Sequence, residues 1–377
     1  MTSPQTVVSI IGTRPNFMKM APVIRLLEDD AEHFRQVVVH TGQHYDRAMS
    51  DVFLEQLGVG DPDHMLGVGS GSHAAQTARV MERLEPLLVE LEPDLVLVPG
   101  DVNSTLAAAL TAAKLDIPVG HVEAGLRSFD RTMPEELNRV VTDQLSTLLF
   151  THSPEAAGHL LGEGCREGDI HLVGNTMIDT LVAMGERIAA LDAPAAHGVE
   201  PGDYLVVTLH RPALVDGPLL RVALEQLDAV ARTLPVIFPI HPRTRASMSA
   251  QAIAAPHVLL VEPLGYLEFL SLVASARGVL TDSGGIQEET TYLGVSCFTL
   301  RENTERPITC SVGTNTLLGL DPRRIAEIPA LLQRSAGVAG VPPLWDGHAA
   351  RRLVDVLRAH SGREAVVAGT MGRDGQP

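Results

Sequence analysis

Carboxylates, arginines and one of only two lysines recur in this chain at one kind of place, just past a short apolar run and just before a helical stretch. The corner GTRPNFMKMAPV (12–23) offers Gly12 for a tight turn, with Arg14 and Lys19 flanking a helix start. Two cations beside backbone N–H groups suit a phosphate or a developing anion; a plain helix start with solvated charges is the other reading. The GxxxxGK[ST] phosphate loop is absent there. PGDVNSTLAAALTA (99–112) puts Asp101 just beyond a buried run, with Asn103, Ser104 and Thr105 able to cap the next helix. A simple N-cap is the alternative role for Asp101. HVEAGLRSFDRTMPEELNR (121–139) is the densest corner, holding Glu123, Arg127, Asp130, Arg131, Glu135, Glu136 and Arg139 ahead of a helix that Pro134 can begin. Carboxylates at the ends of two adjacent strands are costly to desolvate unless they are used, so acid/base work competes here with a structural network of ion pairs.

The second half of the chain supplies VVTLHRPALVDG (206–217), PIHPRT (239–244) and TDSGGIQEETTYLG (281–294). His210 and Arg211 end a strand; His210 suits either a ligand-facing role or a satisfied core histidine. Ser283, Gly284 and Gly285 open a helix whose first N–H groups can hold a diphosphate. Glu289, one turn further on, can accept two hydroxyls of a ribose. RENTERP (301–307) adds Arg301 and Arg306 nearby. GVGSGSHAAQ (67–76) looks like a dinucleotide fingerprint but lacks the third glycine and follows no good strand, which argues against a nicotinamide site.

The elements that must position these corners are read from apolar runs alternating with helical periodicity. Strand candidates are 7–11, 36–41, 94–99, 118–122, 147–151 and 169–174. After a Pro/Ala/Gly-rich patch (192–203) the alternation restarts at 204–210, 235–241, 257–262, 278–282 and 296–300. Continuous apolar strands separated by helices mean sheets covered on both faces. The expected fold is therefore α/β, two Rossmann-like doubly wound domains of about six strands each facing across a cleft, with ligands beyond the strands' carboxyl ends. The expected division is 1–175, carrying the acid/base residues, 176–360, carrying the nucleotide site, and a flexible tail at 361–377. The last helix, 348–360, is expected to pack back on the first domain.

With 377 residues and a net charge of −17, the chain suits two domains. Its acidic balance argues against nucleic acid and anionic membranes as partners. No apolar run approaches the roughly 20 residues of a membrane span, and MTSPQTVVSIIGTRP reads as no secretory signal. Cys165, Cys297 and Cys310 show neither zinc spacing nor a disulfide framework, which fits a reducing cytoplasm. No metal or cofactor is expected.

Taken together, GTRPNFMKMAP, TGQHYD (41–46), PGDVNST, HVEAGLRS, MPEELNR, TLHR, TDSGGIQEE and TERP (304–307) resemble the non-hydrolysing UDP-N-acetylglucosamine 2-epimerase family, in order, from about residue 7 to 360. The resemblance implies a GT-B-like homodimer that interconverts UDP-GlcNAc and UDP-ManNAc. It implies acid/base roles for Asp101, Glu123 and Glu135, with His210 as the cleft histidine. Arg14 and Lys19 would line the nucleotide-sugar site; Ser283, Gly284, Gly285 and Glu289 would meet the diphosphate and ribose. Phe269 in GYLEF would stack on uracil, Leu264 would touch the base, and Arg306 would lie at the nucleotide. The sequence departs from the family pattern at Asn16, where Glu is usual, at Ala213 and Leu214 in place of Glu-Asn, at Ile308, and at Asp46.

The implied chemistry asks for such residues. The C2 hydrogen of a hexose has no adjacent carbonyl, so inversion needs either oxidation at C3 or elimination. In the second route the C1–O bond to UDP breaks as a base removes the C2 proton; UDP then adds back while a proton arrives on the opposite face. That route needs acid/base groups on two sides of the ring, cations and a helix amino end for the departing UDP, and a dry site. A GT-B glycosyltransferase would share the fold and nucleotide site but would need an acceptor. A hydrolysing epimerase, or one acting on a modified UDP-sugar, would share most of these residues.

Overall fold

The computed structural model describes residues 3–42, 57–334 and 340–371, with side chains up to His360; the side chain of Arg14 lies outside the described set, as do Asp46 and most of TGQHYD. The chain divides into two compact units, Met1–Thr180 with Pro343–Pro377, and Leu181–Pro342.

The first unit is built on seven parallel strands: β1 (Gln5–Ile11), β2 (Phe34–His40), β3 (His64–Met65), β4 (Leu95–Pro99), β5 (Val119–Val122), β6 (Leu148–Thr151) and β7 (Ile170–Leu172), in the order β3-β2-β1-β4-β5-β6-β7. Val8 and Ile10 of β1, Val37 and Val39 of β2, and Val96 and Val98 of β4 pack with Leu84 and Leu88 of the helix His73–Leu91 and the alanines of the helix Asn103–Lys114. Apolar side chains on both faces of a strand leave no solvent face, which is why these segments read as unbroken apolar runs. The last helix, Ala349–Met371, packs on the helix Arg14–Asp29 in this unit, where Arg358 Nε meets Asp30 Oδ2 at 2.8 Å. It runs on past residue 360, where the sequence pattern stops.

The second unit repeats the plan with six parallel strands, β8 (Leu205–Thr208), β9 (Val236–Pro239), β10 (Leu259–Val261), β11 (Gly278–Thr281), β12 (Ser296–Thr299) and β13 (Asn315–Leu317), ordered β10-β9-β8-β11-β12-β13. Leu205 and Val207 face one cluster with Phe238, Leu280 and Phe298, while Val206 between them faces another with Ile237 and Val279. Eleven strands fall where the apolar runs put them. The other two, β3 and β13, span two and three residues that include His64, Asn315 and Thr316, and so leave no apolar run.

Candidate active site

In the first unit the chemistry-bearing side chains gather at the carboxyl ends of β1, β4 and β5, around the point where strand order reverses and open α/β sheets take ligands. Asn16 joins the tips of β1 and β4. Its Oδ1 accepts the Gly12 and Thr13 N–H groups at 3.2 and 3.1 Å, and its Nδ2 donates to the Pro99 carbonyl at 3.2 Å. A carboxylate at this position could accept but not donate, so the departure at Asn16 has a structural use. Arg14 opens the same helix. One turn beyond Asn16, Lys19 directs its ammonium onto Glu123 Oε2, both side chains being 8% exposed. The solvated-helix-start reading therefore fails for Lys19.

Glu123 follows β5 in a left-handed backbone conformation, φ 73°. Its own N–H and that of Ala124 both reach the Phe150 carbonyl, at 3.1 and 3.0 Å. A long side chain held at positive φ is uncommon and concentrates at functional positions. Asp101, past β4, is 22% exposed at its side chain and receives Arg139 Nε and Nη2 at 3.0 and 2.8 Å. It caps nothing: the helix Asn103–Lys114 has Val102 at its N-cap. Nor do the residues expected to cap it. Thr105 Oγ1 donates to the Pro99 carbonyl, Ser104 Oγ pairs with Thr41 Oγ1, and Asn103 Nδ2 donates to Gln76. Those hydroxyls and amides lock the β4 corner to its neighbours instead.

The acidic loop divides in two. Arg139 Nη1 also holds Glu136, whose oxygens accept the Ser128 and Phe129 N–H groups at 2.9 and 2.8 Å. Burial works to raise the Glu136 carboxyl, but these backbone donors and Arg139 bring it below its ordinary value. Arg127 forks onto Glu163 at 2.8 and 2.5 Å and meets Asp143 at 2.7 Å. An ion-pair network thus accounts for Arg127, Glu136 and Arg139. It does not account for Glu135, on the first turn of the helix Pro134–Leu145, which is half-buried and has no side-chain partner among the described residues.

In the second unit His210 ends β8 with its side chain 41% exposed and Nδ1 2.8 Å from Asp282 Oδ1. That excludes the core-histidine reading. Asp282, 1% exposed, also accepts the His210 and Arg211 N–H groups at 2.8 Å each. Burial works to raise its carboxyl, while His210 and these N–H groups hold it below the usual range. Nothing in the sequence reading singled out Asp282; its signal is an acid directly after a buried strand, the same signal that marked Asp101 and Glu123.

Ser283 is the N-cap of the helix Gly284–Leu293 and makes no side-chain cap bond. The Arg306 guanidinium rests against that amino end: a Cβ on Gly284 would lie 2.7 Å from Arg306 Nη1. Arg306 is 6% exposed, with Nε 2.9 Å from Glu288 Oε2 and Nη1 3.4 Å from Glu305 Oε2. Unspent helix N–H groups beside a guanidinium make an anion cradle. Glu289 is 5% exposed and accepts the Tyr266 hydroxyl at 3.0 Å. Leu264 and Phe269 are half-buried against the cluster that includes Val206 and Leu272. Of the departures, Leu214 is core, 1% exposed, and Ala213 lies at the surface.

Parallel sheets with the strand order reversing beside charged corners define the doubly wound α/β class. A model of the UDP-N-acetylglucosamine 2-epimerase family matches residues 27–358, and the chain belongs to that family. It is 40% identical over 359 residues to UDP-N-acetylglucosamine 2-epimerase of Methanococcus maripaludis, covering 92% of this chain and 97% of that protein. It is 38% identical over 325 residues to UDP-2,3-diacetamido-2,3-dideoxy-D-glucuronate 2-epimerase of Pseudomonas aeruginosa, covering 85% and 90%. The crystal structure of Methanocaldococcus jannaschii UDP-GlcNAc 2-epimerase in complex with UDP-GlcNAc and UDP superposes with a TM-score of 0.84 at 38% identity, covering 94% of this chain and 99% of that one. Among the described residues no helix is long and apolar enough to cross a membrane.

Proposed function

We propose that the chain inverts C2 of UDP-N-acetylglucosamine to give UDP-N-acetylmannosamine, by eliminating UDP to a 2-acetamidoglucal and adding it back without hydrolysis. The observation that carries the reading is Glu123: a carboxylate at the tip of β5, in a left-handed backbone, paired with a buried lysine and one strand away from Asp101. Glu123, Asp101 and Glu135 supply the proton donors and acceptors that a two-faced transfer needs. The amino end of the helix Gly284–Leu293, with Arg306 and His210, supplies positive character for the departing diphosphate. In this reading Glu289 accepts ribose hydroxyls, and Phe269 with Leu264 meets the base. Two of the relatives named above, those of Methanococcus maripaludis and Methanocaldococcus jannaschii, are named for UDP-GlcNAc and match nearly the whole chain, which supports this choice. The homodimer belongs to the same reading; Leu137 and Val141, exposed one turn apart on the helix Pro134–Leu145, offer it apolar surface.

A proton NMR time course with UDP-GlcNAc alone in heavy water tests the reading. The expected result is loss of the C2–H signal together with growth of UDP-ManNAc. Free UDP rising in step with ManNAc would instead mark hydrolysis, and no exchange without an acceptor would mark a transferase. The Pseudomonas relative favours a second reading, a 2-epimerase of diacetamido-uronate sugars. Faster exchange with that UDP-sugar than with UDP-GlcNAc would establish it.

A further inference from the structure

One buried ring ties the two acid-bearing corners of the first unit together from behind. His121 lies on β5 with no exposed surface. Its Nε2 is 2.7 Å from the Gly100 carbonyl, at the tip of β4, and its Nδ1 is 2.6 Å from Asp143 Oδ1, on the helix Pro134–Leu145. A carbonyl oxygen only accepts, so Nε2 carries a hydrogen. Asp143 receives the Gly125 N–H at 3.1 Å and the Arg127 guanidinium at 2.7 Å on its other oxygen. Burial works to raise the Asp143 carboxyl, but His121 and Arg127 outweigh it and bring it below its ordinary value. Asp143 Oδ1 closes on Nδ1 from the other side. Both ring nitrogens are then spent on holding, and neither is left for proton transfer with a ligand.

What the ring holds is the peptide next to Asp101. Gly100 has φ +64°, and its N–H goes to the Val122 carbonyl at 2.9 Å. A Cβ there would lie 2.9 Å from Lys19 Nζ and 3.4 Å from Glu123 Oε2, so the Gly100 backbone is the wall on which the Lys19–Glu123 pair rests. Asp143, at the other side of the ring, anchors Gly125, two residues past Glu123. We infer that His121 is a positioning residue that clamps the Gly100–Asp101 corner to the Glu123–Gly125 corner, keeping the two carboxylates in one mutual geometry through turnover. The inference rests on the acid/base reading above and adds to it a residue walled off from any ligand.

Two substitutions divide the ring's two contacts. His121→Asn puts an amide where Nδ1 stood and keeps the Asp143 contact; His121→Gln reaches the place of Nε2 and keeps the Gly100 contact. The Asn variant should lose kcat for C2–H exchange by about 10²-fold with KM for UDP-GlcNAc within about threefold, since a small misplacement of reacting groups acts on turnover. The Gln variant should recover to within about tenfold of wild type. Wild-type turnover in the Asn variant, or a Gln variant no better than Asn, would overturn the clamp. The nitrogen-15 spectrum of the wild-type His121 ring reads on it without activity: a hydrogen on Nε2 is expected, and a bare Nε2, which a carbonyl cannot bond, refutes it even if neither variant folds. Failure of wild type to exchange C2–H would refute the acid/base reading, and the ring spectrum would still decide the clamp.

Discussion

Glu123 and Glu135 stand in opposite surroundings, and the contrast separates chemistry from stability. Glu123 is buried against Lys19, so Glu123→Gln strands an ammonium and should cost about 3 kcal/mol in denaturant unfolding. Glu135 has no partner among the described residues, so Glu135→Gln should stay within about 0.5 kcal/mol of wild type. Deuterium incorporation at C2 should nevertheless fall at least about 10²-fold in both, with UDP binding kept. If either variant exchanges at full rate, its carboxylate is not an acid/base group. The same contrast shows what residue types could and could not reveal. Seven charges within HVEAGLRSFDRTMPEELNR read as one cluster, because spacing alone does not say which pairs are desolvated together. Packing sorts them: Arg127, Glu136 and Arg139 are spent on one another and on Asp101, Asp143 and Glu163, and Glu135 is left over.

At the scale of elements, strand positions were legible because a strand covered on both faces must be apolar throughout, as Leu205, Val206 and Val207 show. β3 and β13 were not, since His64, Asn315 and Thr316 interrupt any apolar run there, whereas the edge strand β10 keeps its own. Corners were legible as locations but not as contacts. Asn103, Ser104 and Thr105 carry cap-forming side chains, yet Thr105 turns back to the end of β4, and the partners of Ser104 and Asn103, Thr41 and Gln76, are distant in sequence. Two glycines test whether these corners work as built. Gly100→Ala combines a positive φ with a methyl pressed on the Lys19–Glu123 pair; it should cost about 1–2 kcal/mol and lower the exchange rate without weakening UDP binding. Gly284→Ala has ordinary backbone, but its methyl would displace the Arg306 guanidinium from the helix end. Its effect should therefore appear as weaker UDP binding, by roughly tenfold, read by calorimetry. Equal UDP affinity in wild type and Gly284→Ala would remove Arg306 and this helix end from the nucleotide site.

Over the whole molecule, each unit carries its own sheet and core, and their titratable groups differ. In the first unit His40 is 1% exposed, stacked on Phe17 at 5.3 Å, with Nδ1 accepting the Gly42 N–H at 3.0 Å. Burial pushes its pKa from 6.5 down to about 4. A group whose folded pKa is depressed gives stability that is whole above the unfolded value and lost as pH falls through the folded one. The His40 limb should thus run from about pH 6.5 toward pH 4, at up to about 1.4 kcal/mol per pH unit. The depressed carboxylates, Glu136 and Asp143 in this unit and Asp282 in the other, give way only below the ordinary carboxylate range near pH 4. Asp179, raised first by burial, acts in the opposite sense. His40→Asn keeps an acceptor for Gly42 and removes the titration, so a comparison with wild type cancels every other group. The chain's one tryptophan, Trp345, lies buried in the first unit with Nε1 donating to the His152 carbonyl at 2.9 Å, so its fluorescence follows that unit. In urea unfolding read by that signal, wild type should lose about 2 kcal/mol more than His40→Asn between pH 7 and pH 4.5. A gap between the two proteins that stays constant over that interval would mean that His40 takes up its proton as readily in the folded state as in the unfolded one, contrary to its burial.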